Sequence, residues 1–178
     1  MTRVIFVKAI VCAGLLIALT LGTAVAASAQ SPVAGTTVSA GYSYLHELGN
    51  PGVTYGTGLA GSVAWTPAHT VSLVGELGVN FRNPAGVSQQ LFAALGGVSL
   101  AGQMGPHLVA FAQGLVGLER YSEVGFSENG LAIQPGVGIH WFFTPNLAVR
   151  GQADYRWVHA GGDSFNELRF VAGLAFAF

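Results

Sequence analysis

Past residue 29 this chain has no lysine and no cysteine, and its only positive charges are Arg82, Arg120, Arg150, Arg156 and Arg169. Without a thiol there is no disulfide framework and no metal–thiolate chemistry. Five positives stand against eight negatives, Glu47, Glu76, Glu119, Glu123, Glu128, Asp154, Asp163 and Glu167. A net charge near −3 argues against nucleic acid as a partner. Charge of either sign is scarce, 8% of the whole chain, whereas a soluble surface usually carries roughly a quarter to a third charged residues. Yet nothing after residue 29 approaches the roughly 20 consecutive apolar residues of a spanning helix. Phosphate-binding and metal-binding patterns are missing as well. The glycine-rich stretch GGVSLAG at 96–102 lacks the helix and lysine that a phosphate loop needs, and no metal-ligand spacing appears. No catalytic, cofactor or metal residue is therefore assigned.

The first 29 residues read differently from the rest. Arg3 and Lys8 precede an apolar stretch that ends in Ala27-Ser28-Ala29, the layout of a secretory signal peptide cleaved after Ala29. A membrane anchor would want stop-transfer charges after the stretch, and none follow. Cys12 lies before most of the apolar stretch, outside a lipoprotein acylation context, and is expected to leave with the signal. Residues 30–178 then form one domain.

In that domain the apolar period is two, not 3.6. In LAVRGQADYRW, Leu147, Val149, Gly151, Ala153, Tyr155 and Trp157 alternate with Arg150, Gln152, Asp154 and Arg156, which is a two-faced strand. The same alternation sets Val71, Leu73, Leu77, Val79 and Phe81 against Ser72, Glu76 and Asn80, and Leu131, Ile133, Val137, Ile139 and Trp141 against Gln134 and His140. It also places Val38, Ala40, Tyr42 and Tyr44 on one face, and Tyr55, Leu59, Val63 and Trp65 on another. Segments 89–101 and 107–120 leave either face tenable, since Phe92, Leu95, Phe111 and Leu115 fall on both. Trp65-Thr66-Pro67 with Val71 recurs as Phe143-Thr144-Pro145 with Val149, so the prolines are 78 residues apart. Taken as turns on the same side of a meander, they bracket four strands at about 19 to 20 residues each, which makes eight for the domain. Connections are expected to alternate between short ones (66–69, 102–106, 144–146) and longer or more polar ones (46–53, 82–88, 121–129, 159–165).

Alternation alone does not say which face is inside. The polar face, built mostly of Gly, Ala, Ser and Gln, suits a narrow crowded interior better than a solvated exterior. Aromatics collect at strand ends: Trp65, Trp141, Phe143, Phe176 and Phe178 on the short-turn side, and Tyr42, Tyr44, Tyr55, Phe81, Tyr121, Tyr155 and Trp157 towards the longer loops. Two such bands mark the two interfaces of a bilayer. A sheet in lipid must close, because an open edge leaves peptide groups without water. The expectation is an all-β, eight-stranded antiparallel up-and-down transmembrane β-barrel. The terminal NELRFVAGLAFAF, with Phe170, Ala172, Leu174, Phe176 and Phe178 on one face, is its closing strand.

The signal segment, the strands of IQPGVGIHWFFTPNLAVRGQADYRW and the terminal aromatic strand together resemble the small Gram-negative outer-membrane barrels of the OmpA, OmpX and opacity-protein type, over essentially all of residues 30–178. The resemblance implies the outer membrane of a Gram-negative bacterium as location, outer-membrane lipid as the surrounding solvent, and recognition of the C-terminal strand by the barrel assembly machinery. Some barrels of this size act on lipid A; the deacylase type uses His-x-Ser with a Glu. None of His46, His69, His107, His140 and His159 has Ser two residues on, and the short loops leave little material for a palmitoyltransferase or omptin-like site.

The inward face collects Arg150, Asp154, Arg156, Glu167, Arg169, Glu76 and Glu119, with His140 among them. Three positives and four negatives nearly cancel, and eight strands leave an interior that side chains fill. They are expected to plug the lumen as a hydrogen-bonded ion-pair network, since a selective pore would favour a ring of one sign. The expected function is structural: a barrel contributing to envelope integrity or surface interaction, with HELGNPGV and ERYSEVGFSEN as contacts for a host or envelope protein. A narrow channel or carrier for a small or hydrophobic solute is the alternative, and a lipid A-modifying enzyme stands behind it. Pro135, which costs a strand a ladder hydrogen bond, has no role in this reading.

Overall fold

The computed structural model describes residues 35–49, 53–68 and 70–178; the expected signal segment 1–29 and its Cys12 lie outside the described residues. Eight long antiparallel strands follow one another: β1 Gly35–Leu48, β2 Thr57–Ala68, β3 Val71–Arg82, β4 Gln89–Gln103, β5 Leu108–Glu123, β6 Phe126–Phe142, β7 Leu147–Ala160 and β8 Asp163–Ala177. Each pairs with the next, and β8 returns to β1 over a register running from Thr37↔Ala177 to Leu48↔Asn166. The Phe178 N–H continues this seam, donating to the Thr36 carbonyl at 2.9 Å. The result is the closed up-and-down barrel that the alternation predicts. Pro67 and Pro145 do bracket four strands, β3 to β6. Pro145 lies in the β6–β7 turn, whereas Pro67 lies inside β2, at a register irregularity between Trp65 and Ala68.

The faces sort by chemistry. Leu59, Leu73, Leu77, Val98, Leu118, Val137, Val149 and Leu174 point outward and are 45–63% exposed, while Glu76, Asn80, Gln134, Asp154, Arg156, Glu167 and Arg169 point inward and are buried. A continuous apolar exterior of this extent around a polar interior is a transmembrane surface. The two ambiguous segments resolve as β4 and β5, with Phe92 outward and Leu95, Phe111 and Leu115 inward. Leu95 and Leu115 pack inside with Val74, Ala93, Ala132 and Val158. Eight strands leave a narrow interior that side chains largely fill, and this apolar cluster takes up part of it beside the charged side chains.

Three expectations need correcting. Segments 121–129 and 159–165 are not loops: β5 and β6 meet at Val124-Gly125, and β7 and β8 at Gly161-Gly162. Both glycines of the second turn have positive φ, +57° and +94°, so two residues suffice to reverse the chain, and the polar residues around the turn belong to strand ends. Tyr55 does not share a face with Leu59, Val63 and Trp65. It belongs to a two-residue segment, Thr54–Tyr55, that pairs with β1 beyond the break at Gly56, and its ring is buried against Leu45 and Leu91. Tyr121 likewise turns inward against that cluster, so neither ring contributes to the outer aromatic band.

Candidate functional site: the lumen

The site is built by strand parity. On β7 the even positions face inward, which carries Arg150, Gln152, Asp154 and Arg156 into the lumen; on β8 the odd ones do, carrying Glu167 and Arg169. β3 contributes Glu76, β5 Gln113 and Glu119, and β6 Gln134 and His140.

Arg169 is the hub. Its Nη2 donates to Glu76 Oε1 and, at 2.8 Å, to Asp154 Oδ2, and its Nε donates to the same Asp154 oxygen at 3.0 Å. The two carboxylates are drawn together from strands on different sides of the barrel. Neutral amides satisfy their remaining lone pairs. Gln134 donates to Glu76 at 2.9 Å, and Gln152 donates to Glu76 at 3.2 Å and to both Asp154 oxygens at 2.9 and 2.8 Å. A second cluster lies next to the first: Arg156 Nη1 reaches Glu119 at 2.5 Å and Glu167 at 3.5 Å. Its Nε donates to Gln134 Oε1 at 2.8 Å, so Gln134 links the two clusters. Arg150 extends the chain of bonds in the other direction. It donates to Gln152 Oε1 and, from Nη1, bonds His140 Nε2 at 2.8 Å, with its guanidinium carbon 4.4 Å from the centre of the Phe111 ring. Nε2 accepts that bond, so the imidazole is neutral with its proton on Nδ1. His140 therefore meets Arg150.

Two backbone features make room for this layer. Pro135 has no N–H to give, and the β6–β7 ladder is interrupted there, between Ile133↔Trp157 and Gly136↔Asp154. The Arg156–Gln134 hydrogen bond bridges the strands at that gap, which gives Pro135 a structural place that the sequence did not reveal. One residue on, a Cβ added at Gly136 would collide with Asp154 Oδ1, so only glycine leaves space for that carboxylate.

Cavities lie at both ends of the lumen. A cavity of about 630 Å³ opens at the end that holds Gly35 and Phe178, and one of about 340 Å³ at the opposite rim. Arg150 and Gln113 line the first, and Glu119 and Glu167 the second. Between them, Gln134, Asp154, Arg156 and Arg169 are at most 2% exposed and line neither. Buried ion pairs of this kind gain little net stability over an apolar filling, because desolvation offsets most of the Coulomb attraction. What they supply is a defined arrangement of side chains that joins strands across the lumen.

Of the aromatics, Trp65, Trp141, Phe143, Phe176 and Phe178 are 43–72% exposed at one end of the barrel, and the Phe176 and Phe178 rings meet edge to face at 4.8 Å. At the other end the Tyr155 hydroxyl donates to Asn166 at 2.6 Å, and Trp157 stacks on His159. One histidine does meet a serine that is not two residues on: His159 and Ser164 are cross-strand partners, with Nδ1 and Oγ 3.1 Å apart. No carboxylate hydrogen-bonds that histidine among the described residues, so the pair lacks the group that would orient a catalytic base.

No protein-family model matches the chain, and no characterised protein matches it in sequence. Solved structures match it in fold. Neisserial surface protein A aligns with a TM-score of 0.62 at 10% identity, covering 80% of this chain and 96% of that one. The outer membrane protein OprG from Pseudomonas aeruginosa gives 0.59 at 10% identity, over 85% and 99%. Ail, the attachment invasion locus protein of Yersinia pestis, gives 0.50 at 13%, over 80% and 97%. The fold is that of small eight-stranded outer-membrane barrels.

Proposed function

We propose that this chain is a structural barrel of a Gram-negative outer membrane, one that contributes to envelope integrity and whose lumen does not conduct. The observation that carries this reading is the layer of Glu76, Gln134, Asp154, Arg156 and Arg169, whose side chains from four strands bond one another across the lumen. A pathway for solute needs weak, exchangeable contacts along its walls; here every charge of the layer is held by a partner on another strand. The likeness in fold to outer-membrane proteins of three genera supports the location. In this orientation the end whose β2–β3, β4–β5 and β6–β7 connections are all short faces the periplasm, and the longer β1–β2 and β3–β4 connections lie at the outer end beside the two-residue β5–β6 and β7–β8 turns. The terminal strand, with Phe170, Leu174, Phe176 and Phe178 all outward, is the surface that the barrel assembly machinery reads.

The test is a deletion strain scored for uptake of a hydrophobic fluorescent dye across the outer membrane, complemented by the parent and by a barrel with an apolar plug, Glu76→Leu, Asp154→Leu and Arg169→Leu together. Both should restore low uptake, because closure is the function and ion-pair chemistry only one way to achieve it. Unchanged uptake in the deletion strain would remove the integrity role. A second reading, contact with a host or envelope protein, draws on the β5–β6 hairpin at the outer rim, where Val124 is 84% and Phe126 56% exposed. Val124→Asp with Phe126→Asp should abolish adhesion while leaving dye uptake unaltered.

A further inference from the structure

Arg150 differs from the other two arginines of the lumen. Arg156 and Arg169 each hold two carboxylates within ion-pair distance, and Arg150 holds none among the described residues. Its acceptors are the neutral Gln152 Oε1 and His140 Nε2, and a guanidinium has more donors than these bonds use. Gln152 separates it from the acidic cluster, its oxygen turned to Arg150 and its nitrogen to Glu76 and Asp154. Burying a cation without a contacting anion is costly, yet Arg150 is only 6% exposed. It lies at the inner end of the cavity of about 630 Å³, a size typical of small-molecule sites.

The lining of that cavity is selective by sign. No Asp or Glu side chain contributes to it among the described residues, and Arg150 is its one permanently charged side chain; the α-carboxylate of Phe178 lies at the open mouth, five residues along β8 from the position opposite Arg150. Gln113 adds an amide beside the guanidinium, Ser99 and Ser72 add hydroxyls along the wall, and Phe111 and Phe142 add apolar surface. The smaller cavity has the reverse character, with Glu47, Glu119, Glu128 and Glu167 around Arg82. One end of the lumen is thus suited to an anion and the other is not.

We propose that the larger cavity binds a small organic carboxylate entering from the end that holds Gly35 and Phe178. Its carboxylate rests on the Arg150 guanidinium and its hydrocarbon part on Phe111 and Phe142. A planar fork matches a carboxylate in two parallel hydrogen bonds, and the ring wall accounts for a hydrocarbon part that an inorganic anion lacks. This goes beyond the structural role: a barrel that neither conducts nor binds would leave that role intact.

The probe is radiolabelled hexanoate, equilibrated by dialysis with the folded barrel in lipid nanodiscs and with empty nanodiscs. Saturable binding of one hexanoate per barrel is expected. Arg150→Gln should weaken it about tenfold or more, as loss of a charge-assisted contact does. Ser99→Phe, which fills the cavity and keeps the guanidinium, should weaken it as much. Hexanol should not compete. Uptake equal to that of empty nanodiscs would overturn the proposal, as would equal competition by hexanol, which would make the cavity an apolar one only. Displacement by inorganic phosphate as effective as by unlabelled hexanoate would overturn the organic assignment. If Arg150→Gln does not fold, Ser99→Phe decides, and undiminished binding there places the ligand elsewhere.

Discussion

Replacing Arg169 with Met removes the hub of the lumen and leaves its two anions facing each other. Glu76 and Asp154 are 4% and 2% exposed, and both bond the same nitrogen of Arg169. Without it they retain only amide donors, Gln134 on Glu76, Gln113 on Asp154 at 3.5 Å and Gln152 on both. Removing one partner of a buried pair costs about 3 to 5 kcal/mol, because an uncompensated charge stays behind. Arg169→Met should therefore lower unfolding stability by that amount in lipid vesicles. Urea titration followed by the fluorescence of Trp65, Trp141 and Trp157 reads it. Adding Glu76→Gln and Asp154→Asn to the same variant removes the stranded charges and should recover most of the loss. A single variant within about 1 kcal/mol of the parent, the worth of an exposed pair, would refute the buried-network argument. So would a triple variant as unstable as the single one.

Other substitutions test the faces and the seams. Leu77→Arg and Val137→Arg, outward on β3 and β6, should each cost about 2 to 4 kcal/mol, the midplane penalty on a lipid face; unfolding in lipid measures it, and no loss would mean that this face does not meet lipid. Gly136→Ala pushes a methyl into the space of Asp154 Oδ1 and should cost about 1 to 3 kcal/mol as overpacking. Adding Asp154→Ala should make the glycine substitution nearly neutral in the same titration. Deleting Phe178, or Phe178→Ser, should block insertion while leaving secretion and cleavage after Ala29 intact, and Phe170, Phe176 and Phe178 all to Ser should complete the block. The ratio of inserted to periplasmic protein, with heat-dependent gel mobility, scores it; normal insertion with a polar tag tolerated after Phe178 would contradict the signal.

The fold was legible because parity is a local property. Leu147 to Trp157 alternate so strictly that the face of Arg150, Asp154 and Arg156 follows from any one of them, and closure follows from the cost of an edge in lipid. Parity failed where both faces carry apolar side chains: Phe92 and Leu95 gave no sign of which was outward, since part of the lumen is itself apolar. It also failed at Tyr55, where the break at Gly56 resets the alternation, and at Gly161-Gly162, where a polar stretch proved to be two strand ends joined by a two-residue turn. Within the site, which residues share the lumen could be read from the chain, but partners could not. Arg169 meets Glu76 across 93 positions of sequence, a contact fixed by the stagger of strands around the barrel. The ladder gap at Pro135 and the vacated space at Gly136 make sense only once Arg156 and Asp154 are seen to occupy them.

Single-channel recording of the purified barrel in a planar bilayer at neutral pH puts the central claim, a lumen closed by interlocked side chains, to its most direct test. Silence is expected for the parent protein at every applied voltage that leaves the bilayer intact, because Gln134, Asp154, Arg156 and Arg169 are linked through hydrogen bonds across the lumen. Steady, reproducible openings whose frequency scales with inserted protein would contradict it and establish a channel.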